Sequence, residues 1–385
     1  MGFENYDVIV VGCGLSGSVA ARELAERGKK VIILEKRDHI GGNMYDEVDE
    51  NGILVQKYGP HTFHTNKKEL YDYMCKYEEW EPFYLKCMAQ IDGKFTPTPF
   101  NFQTIDDFYE KDKAEKLKNR IREYYGNVES KTIVELLECE DELIREYANF
   151  LFDKDYSLYT AKQWGIKPSE IDVSVLKRVP VNFSYKDRYF EDTYQIMPKH
   201  SFTQFFINLL NHENITVKLN EDALKYIEVD TDNKLVKVNG ERWNKRIVYT
   251  GPLDQLLKYK YGVLPYRSLR FDYQMKNVKS YQPAPVVAYP QEEDFTRITE
   301  YTKIPIQNVD VTKIAIEYSM QYLEDECEEP YYPILTIDSQ KQYERYTNDI
   351  RNITNLIICG RLGEFKYYNM DQALQQILEV NKRIH

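Results

Sequence analysis

The sequence predicts an α/β fold in which a domain built on a parallel sheet carries an inserted helical domain and an antiparallel-sheet domain, and three observations predict it. Tyr6 to Val11 is an apolar run of strand length, followed by the turn GCGLSG and an amphipathic helix from about Ser16 to Arg27 that Gly28 closes. From Thr104 to Phe152 apolar residues recur at helical spacing in charged surroundings, among them Ile105, Phe108, Leu117, Ile121, Tyr124, Leu136, Leu137, Leu143, Ile144 and Tyr147. Between Tyr266 and Leu335, runs such as Arg270 to Met275, Pro285 to Tyr289 and Lys313 to Tyr318 read as antiparallel strands.

A second strand at Val31 to Leu34, ending on Glu35, completes a βαβ unit, so the first sheet begins parallel. The helix Phe202 to Leu210 with the strand Thr216 to Leu219, and the late strand Leu356 to Cys359 running into GRLG, read as further pieces of the same sheet. The first domain is therefore expected to be discontinuous, residues 1–80 with 195–250 and 340–385. Residues 81–180 form the helical insertion, and 181–194 with 251–339 the antiparallel-sheet substrate domain. Ile166 to Asn182, bounded by Pro168 and Pro180 and without a sustained period, is expected to be a mobile loop.

Composition narrows the function. A chain of 385 residues exceeds one hydrophobic core, and 42% apolar with 29% charged residues is the profile of a chain that folds. The net charge of −11 sets the mean field against a phosphate backbone, so nucleic acid is not an expected partner. A small anionic substrate would need arginines placed locally against it. The six cysteines lack CxxC spacing and read as free thiols in a reducing compartment. The histidines offer no ligand spacing beyond His61 and His64, so no metal is expected. Glu4 and Asp7 stand where a leader would be basic, and no apolar run reaches the roughly 18 residues of a membrane helix. A cytoplasmic protein without membrane insertion is expected.

Gly12 permits the tight turn, Gly14 a close backbone approach to a pyrophosphate, and Gly17 the packing of helix on strand, with Ser16 at the helix start. Glu35 stands near the spacing at which a carboxylate accepts ribose hydroxyls, with Lys36 beside it. FAD and NAD share this Rossmann-like fingerprint. Gly41, Gly42 and Asn43 tip the choice to FAD, because a second backbone approach with an amide beside it resembles the extended motif of FAD-binding oxidases and mutases. A simple turn after the second strand is the plainer alternative. Arg361 in GRLG would bring a cation to the flavin pyrophosphate.

Several segments together resemble the UDP-galactopyranose mutase family: YGPHTFHT at Tyr58 to Thr65, YTAKQWG at Tyr159 to Gly165, LKRVPV at Leu176 to Val181, TRITE at Thr296 to Glu300, PYYPI at Pro330 to Ile334 and GRLGEFKYYNMD at Gly360 to Asp371. The resemblance spans nearly the whole chain, in family order. It implies an FAD enzyme, active in the reduced form, that interconverts the pyranose and furanose rings of a nucleoside-diphosphate hexose, UDP-galactose first, for surface polysaccharide. In such enzymes the flavin N5 attacks the anomeric carbon, the nucleoside diphosphate leaves, and the ring reopens and recloses before the diphosphate returns. Its partners would be the sugar nucleotide and an electron donor; a homodimer is left open. The resemblance assigns Arg178 and Arg297 to clamp the diphosphate, Arg178 from a loop that closes over substrate. It assigns Tyr159 and Trp164, with Thr160, to the nucleotide and bound substrate, and Tyr189, Tyr331 and Tyr367 to the diphosphate and sugar. His61, with Thr62, falls beside the flavin ring, as does Arg267, and Tyr368, Asn369, Met370 and Asp371 fall on the closing segment of the cofactor site.

Four positions depart from the family pattern. Leu85 and Ala288 stand where asparagines are expected, Asp155 where a phenylalanine borders the uracil, and Asn369 where an aspartate is expected. Apolar groups in place of amides would leave a buried sugar hydroxyl unpaired, which a deoxysugar would not suffer. The alternative substrate is thus dTDP-fucopyranose, set against neutral divergence among UDP-galactose enzymes. More distant readings are an NAD-dependent dehydrogenase, a flavin amine oxidase-like oxidoreductase and a non-catalytic sugar-nucleotide binder.

Overall fold

In the computed structural model, residues 2–165, 179–291, 294–323 and 329–383 are described. The β-branched runs Val8–Val11, Val31–Leu34, Ile215–Lys218, Arg246–Tyr249 and Leu356–Ile358 pair into one parallel sheet. Its order is 215–218, 31–34, 8–11, 246–249, 356–358. Alternation along these strands feeds two cores. Val8, Val10, Val31, Ile33 and Val248 pack with Val19, Leu24, Phe205, Leu209, Leu374 and Ile377, while Ile9, Ile32, Leu34, Ile247 and Tyr249 pack with Val236, Leu253 and Leu256 on the opposite face. The order reverses at Val8–Val11, which opens a crevice at the carboxyl ends of the strands.

The first strand is shorter than the expected Tyr6 to Val11, because the Tyr6 N–H turns back to the Phe3 carbonyl and the Asp7 carboxylate accepts from Lys30 N–H. The helix runs Leu15–Ala25 rather than to Arg27: Arg27 and Gly28 donate to Leu24 and Ala25 in a tightened last turn, and Gly28 leaves it at φ +78°.

The seven-stranded sheet runs Tyr332–Pro333, Tyr266–Lys276, Thr312–Gln321, Arg297–Glu300, Val286–Ala288, Cys87–Ile91, Lys94–Thr98. All pairs are antiparallel except Val286–Ala288 with Cys87–Ile91. Its last two strands come from within the stretch read as helical, as a hairpin turning on Asp92 (φ +47°) and Gly93 (φ +77°). Four helices of that stretch are Phe102–Phe108, Lys111–Tyr125, Ile133–Leu137 and Glu142–Leu151; the first, third and fourth are started by Asn101, Thr132 and Asp141, whose side chains accept from helix N–H groups. Ile105, Leu117, Ile121, Leu136, Ile144 and Tyr147 bury their side chains in a third core, whereas Tyr124 is 44% exposed and takes no part in it.

A π-helical turn, Phe152–Tyr156, joins Glu142–Leu151 to the helix Ser157–Trp164, which ends at Gly165 in the left-handed region. Within the expected loop, Pro180–Asn182 instead forms a short strand on Ser130–Thr132; three residues are too few to show a period. Residues 166–178 of that loop, Arg178 among them, lie outside the described residues. Among the described residues no helix is long and apolar enough to cross a membrane.

Candidate functional site

The crevice at the strand ends is lined by Gly12, Gly14, Ser16, Gly17, Glu35, Lys36, Gly42, Asn43, His61, Arg361, Asn369 and Met370, together with Arg37, Thr250, Glu329 and Tyr331. Side chains at its glycines do not fit. A Cβ on Gly12, whose φ is +93°, would collide with the Thr250 hydroxyl, and one on Gly17 with the Gly12 carbonyl. A Cβ on Gly42 would come within 2.8 Å of the Gly14 Cα, so the two glycine motifs, apart in sequence, touch. The Gly41 N–H donating to the Cys13 carbonyl at 2.9 Å fixes that contact. No side chain caps the helix Leu15–Ala25 at Gly14, which leaves its N–H groups open to a ligand phosphate. This cradle fits the pyrophosphate of a dinucleotide.

Glu35 is buried and accepts from Cys13 N–H at 2.7 Å and from Arg37 N–H at 2.9 Å, so it organises the turn it faces. Arg37 escaped sequence reasoning. Its guanidinium pairs with Glu329 at 2.9 Å, donates to Asn43 Oδ1 at 3.0 Å and lies 4.4 Å from the Tyr58 ring centre. Lys36 pairs with the same Glu329 at 3.3 Å. The only sequence signal for this cluster was the placement of Lys36 and Arg37 immediately after Glu35.

His61 and Thr62 follow Gly59, and the His61 Nδ1 lies 2.8 Å from the Gly59 carbonyl. A carbonyl only accepts, so Nδ1 carries the proton and Nε2 keeps its lone pair. Burial in the cleft, with Arg361 and Arg297 adding repulsion, lowers the His61 pKa to about 4, against the opposing bond to Gly59. His61 is neutral at pH 7. Its folded pKa lies below the unfolded one, so stability is whole above the ordinary imidazole value of 6.5 and falls as pH drops toward about 4. Urea midpoints of the cofactor-free protein are expected to fall across this window and to fall less in His61→Phe.

Arg297 is within electrostatic reach of His61. It lies directly opposite Glu317 in the antiparallel pair, its Nε donating to Oε2 at 2.8 Å and its Nη2 at 2.7 Å from the same oxygen. Thr296 Oγ1 also donates to Glu317. This pairing holds the Arg297 guanidinium charged. Tyr159, on the helix Ser157–Trp164, is within electrostatic reach of Arg297, Glu317, Tyr189 and Asp155. Tyr189 donates its N–H to the Leu85 carbonyl at 2.8 Å, and Ala288 is the strand partner of Arg297 on the side away from Glu317. Thr160 follows Tyr159 on the same helix, and the Trp164 side chain is outside the described residues.

A tyrosine wall stands beside Arg361. Tyr332 stacks on Tyr367 with ring centres 5.2 Å apart, and Arg361 stands 5.0 Å from the first ring and 5.8 Å from the second. Arg361 also donates to the Tyr368 carbonyl at 2.6 Å. Tyr331 is buried with its N–H on the Arg267 carbonyl at 2.9 Å, and its ring centre lies 6.4 Å from that of Tyr58. Asn369 and Asp371 start the helix Met370–Asn381. Arg267 is buried, donating to Ser319 Oγ at 2.9 Å, which donates in turn to the Gln163 carbonyl at 2.6 Å. That relay ties the Tyr159 helix to the sheet. His61, Arg361 and Tyr331 thus line the crevice, the Tyr332–Tyr367 stack stands beside Arg361, and Arg297, paired with Glu317 through strand register, is within electrostatic reach of His61, Tyr159 and Tyr332.

Fold and cradle define a dinucleotide-binding protein of the Rossmann type, and a family model described as NAD(P)-binding Rossmann-like domain matches residues 10–77. A second family model, UDP-galactopyranose mutase, matches residues 154–367. A probable UDP-galactopyranose mutase of Klebsiella pneumoniae is 34% identical over 98% of this chain and 94% of its own. A dTDP-fucopyranose mutase of Escherichia coli is 32% identical over 97% of this chain and 96% of its own. The crystal structure of a reduced UDP-galactopyranose mutase matches in fold with a TM-score of 0.74 at 18% identity, covering 98% of this chain and 93% of that one. The chain belongs to the UDP-galactopyranose mutase family of enzymes.

Proposed function

We propose that the protein binds FAD, works with FAD reduced, and interconverts UDP-galactopyranose and UDP-galactofuranose. The observation that carries this reading is the setting of Arg297: a guanidinium held by Glu317 and within electrostatic reach of His61, Tyr159 and Tyr332. A charge that does not titrate, on a forked donor, suits a diphosphate that must leave and return.

In this reading Arg297 and Arg178 hold the diphosphate, and Tyr189, Tyr331 and Tyr367 donate hydroxyls to it and to the sugar. Tyr159, Thr160 and Trp164 hold the nucleotide, with Leu85 and Asp155 at the edge of the substrate. Gly12, Gly14, Ser16 and Gly17 take the FAD pyrophosphate, and Glu35 and Lys36 the adenosine ribose. Gly42, Asn43, Thr62, Arg267, Arg361 and Tyr368 to Asp371 hold the remainder. His61, neutral with a bare Nε2, offers the cofactor ring an acceptor. Bound and reduced, FAD supplies the nucleophile for the anomeric carbon. The aromatic wall keeps water from the reacting carbon while the diphosphate waits on its arginines. An electron donor maintains the reduced state, and a cytoplasmic homodimer feeding surface polysaccharide synthesis is the setting.

A second substrate, dTDP-fucopyranose, is favoured by one observation. Leu85 is buried and Ala288 sits beside Arg297, and neither offers a side-chain hydrogen bond to a sugar hydroxyl. The purified protein, reduced with dithionite, is expected to convert UDP-galactofuranose to the pyranose form on chromatographic analysis. A higher kcat/KM for dTDP-fucose selects the second substrate, and failure with both refutes the mutase reading. Oxygen consumption with turnover would place the protein among the oxidases instead.

A further inference from the structure

We propose that Glu329, paired with Arg37 and Lys36, is a clasp on the dinucleotide crevice whose strength sets how slowly the cofactor leaves. This deepens the proposed function and rests on its cofactor, FAD.

All three residues line the crevice, together with Glu35, Asn43, Pro330 and Tyr331. Lys36 and Arg37 follow the parallel strand Val31–Leu34. Glu329 belongs to the other sheet: its carbonyl accepts from Ser268 Oγ at 2.8 Å, and the Tyr331 N–H donates to the Arg267 carbonyl at 2.9 Å. The backbone of 329–331 is thus fixed to the strand Tyr266–Lys276, and the Glu329 side chain joins it to the end of the parallel strand.

The contact sets one fork on another. Arg37 Nη2 lies 2.9 Å from Glu329 Oε2, Arg37 Nε donates to Oε1 at 3.4 Å, and Lys36 Nζ lies 3.3 Å from Oε2. Side-chain exposure falls from 51% at Lys36 through 25% at Glu329 to 14% at Arg37, so the cluster runs from solvent into the crevice. Burial pushes the Glu329 pKa up, but Arg37 and Lys36 outweigh it and hold the carboxylate below its ordinary range, ionised at neutral pH. A pair placed at such a rim holds by charge and is still reached by salt.

The clasp also reaches the cofactor cradle. Arg37 Nη2 donates to Asn43 Oδ1 at 3.0 Å, and the Arg37 N–H to Glu35 at 2.9 Å. Arg37 Nη1 is buried with no hydrogen-bond partner among the described residues. Glu35 marks the ribose end of the cradle by its spacing, so an acceptor on the bound adenosine is the group that would satisfy Nη1. Breaking the Glu329 pair therefore loosens both the segment 329–331 and the arginine beside the adenosine.

The test is the rate of FAD release from the holoprotein, read as the rise in flavin fluorescence after dilution, from about 0.05 to about 0.5 M NaCl. It is measured for wild type, Glu329→Gln and Glu329→Asp, and for Glu329→Gln in a background carrying both Lys36→Met and Arg37→Met. Melting temperatures of the cofactor-free proteins report whether each variant folds. At low salt Glu329→Gln is expected to release FAD about tenfold faster than wild type, with Glu329→Asp, one methylene short of its partner, between them. Salt is expected to speed release from wild type more than from Glu329→Gln. In the background without the two cations, Glu329→Gln should change release by less than about twofold, because the clasp is already open. Wild-type release rates in Glu329→Gln at low salt overturn the proposal. An acceleration of equal size in both backgrounds overturns it too, since the glutamate would then act without its cations. A wild type that folds and binds no FAD refutes the cofactor reading itself, and the proposal with it.

Discussion

Arg297→Ala is expected to lower kcat/KM of the reduced enzyme by about a hundredfold or more, because on the proposed mechanism the loss falls on a charge that develops on the leaving diphosphate. The same change is expected to destabilise the fold by about 3–5 kcal/mol, since Glu317, 4% exposed, loses its cation. Two further variants separate these effects. Arg297→Lys keeps the charge and loses the fork, so it should melt nearer to wild type yet turn over slowly. Replacing Arg297 and Glu317 together by methionine removes the stranded carboxylate, and should recover much of the stability and none of the activity. Wild-type turnover in Arg297→Lys, or an active double variant, would show that the guanidinium does not hold the diphosphate.

Gly17→Ala is expected to give a colourless protein. The new methyl group would run into the Gly12 carbonyl and come within 3.3 Å of the Val10 side chain, so the helix Leu15–Ala25 must move off its strand. That movement carries the helix N-terminus away from the cofactor pyrophosphate, and overpacking of this kind costs about 1–3 kcal/mol on its own. Gly28→Ala is the control. It places a side chain at positive φ, +78°, but nothing lies within 4 Å of the new Cβ, so flavin binding should survive a modest loss of stability. Full visible absorbance per mole of Gly17→Ala protein would contradict the cradle assignment.

Other features were legible in the chain but weak. Asp92–Gly93 is a hairpin signal between alternating residues, and both residues adopt positive φ. It stood within residues 81–180, read as a helical insertion, and among the described residues the hairpin joins the sheet through a parallel contact with Val286–Ala288, far away in sequence. Pro180–Asn182 was beyond reach, because a strand of three residues is created by its partner Ser130–Thr132.

By itself the sequence determined what depends on local geometry. Glycine spacing at 12, 14 and 17, the apolar runs beside it and the placement of Glu35 specify a strand, turn and helix that few other residues could build. The motifs at Tyr58, Tyr159, Thr296 and Gly360 determined the family in the same way, as contiguous strings. Tertiary structure alone decided which charges meet. Arg297 faces Glu317 because of strand register, Arg37 finds Glu329 across most of the chain, and Gly42 rests on Gly14 because the second strand returns beside the first. The physical reason is that side-chain pairing over long sequence separation depends on register and packing, and a single charged letter carries no record of its partner.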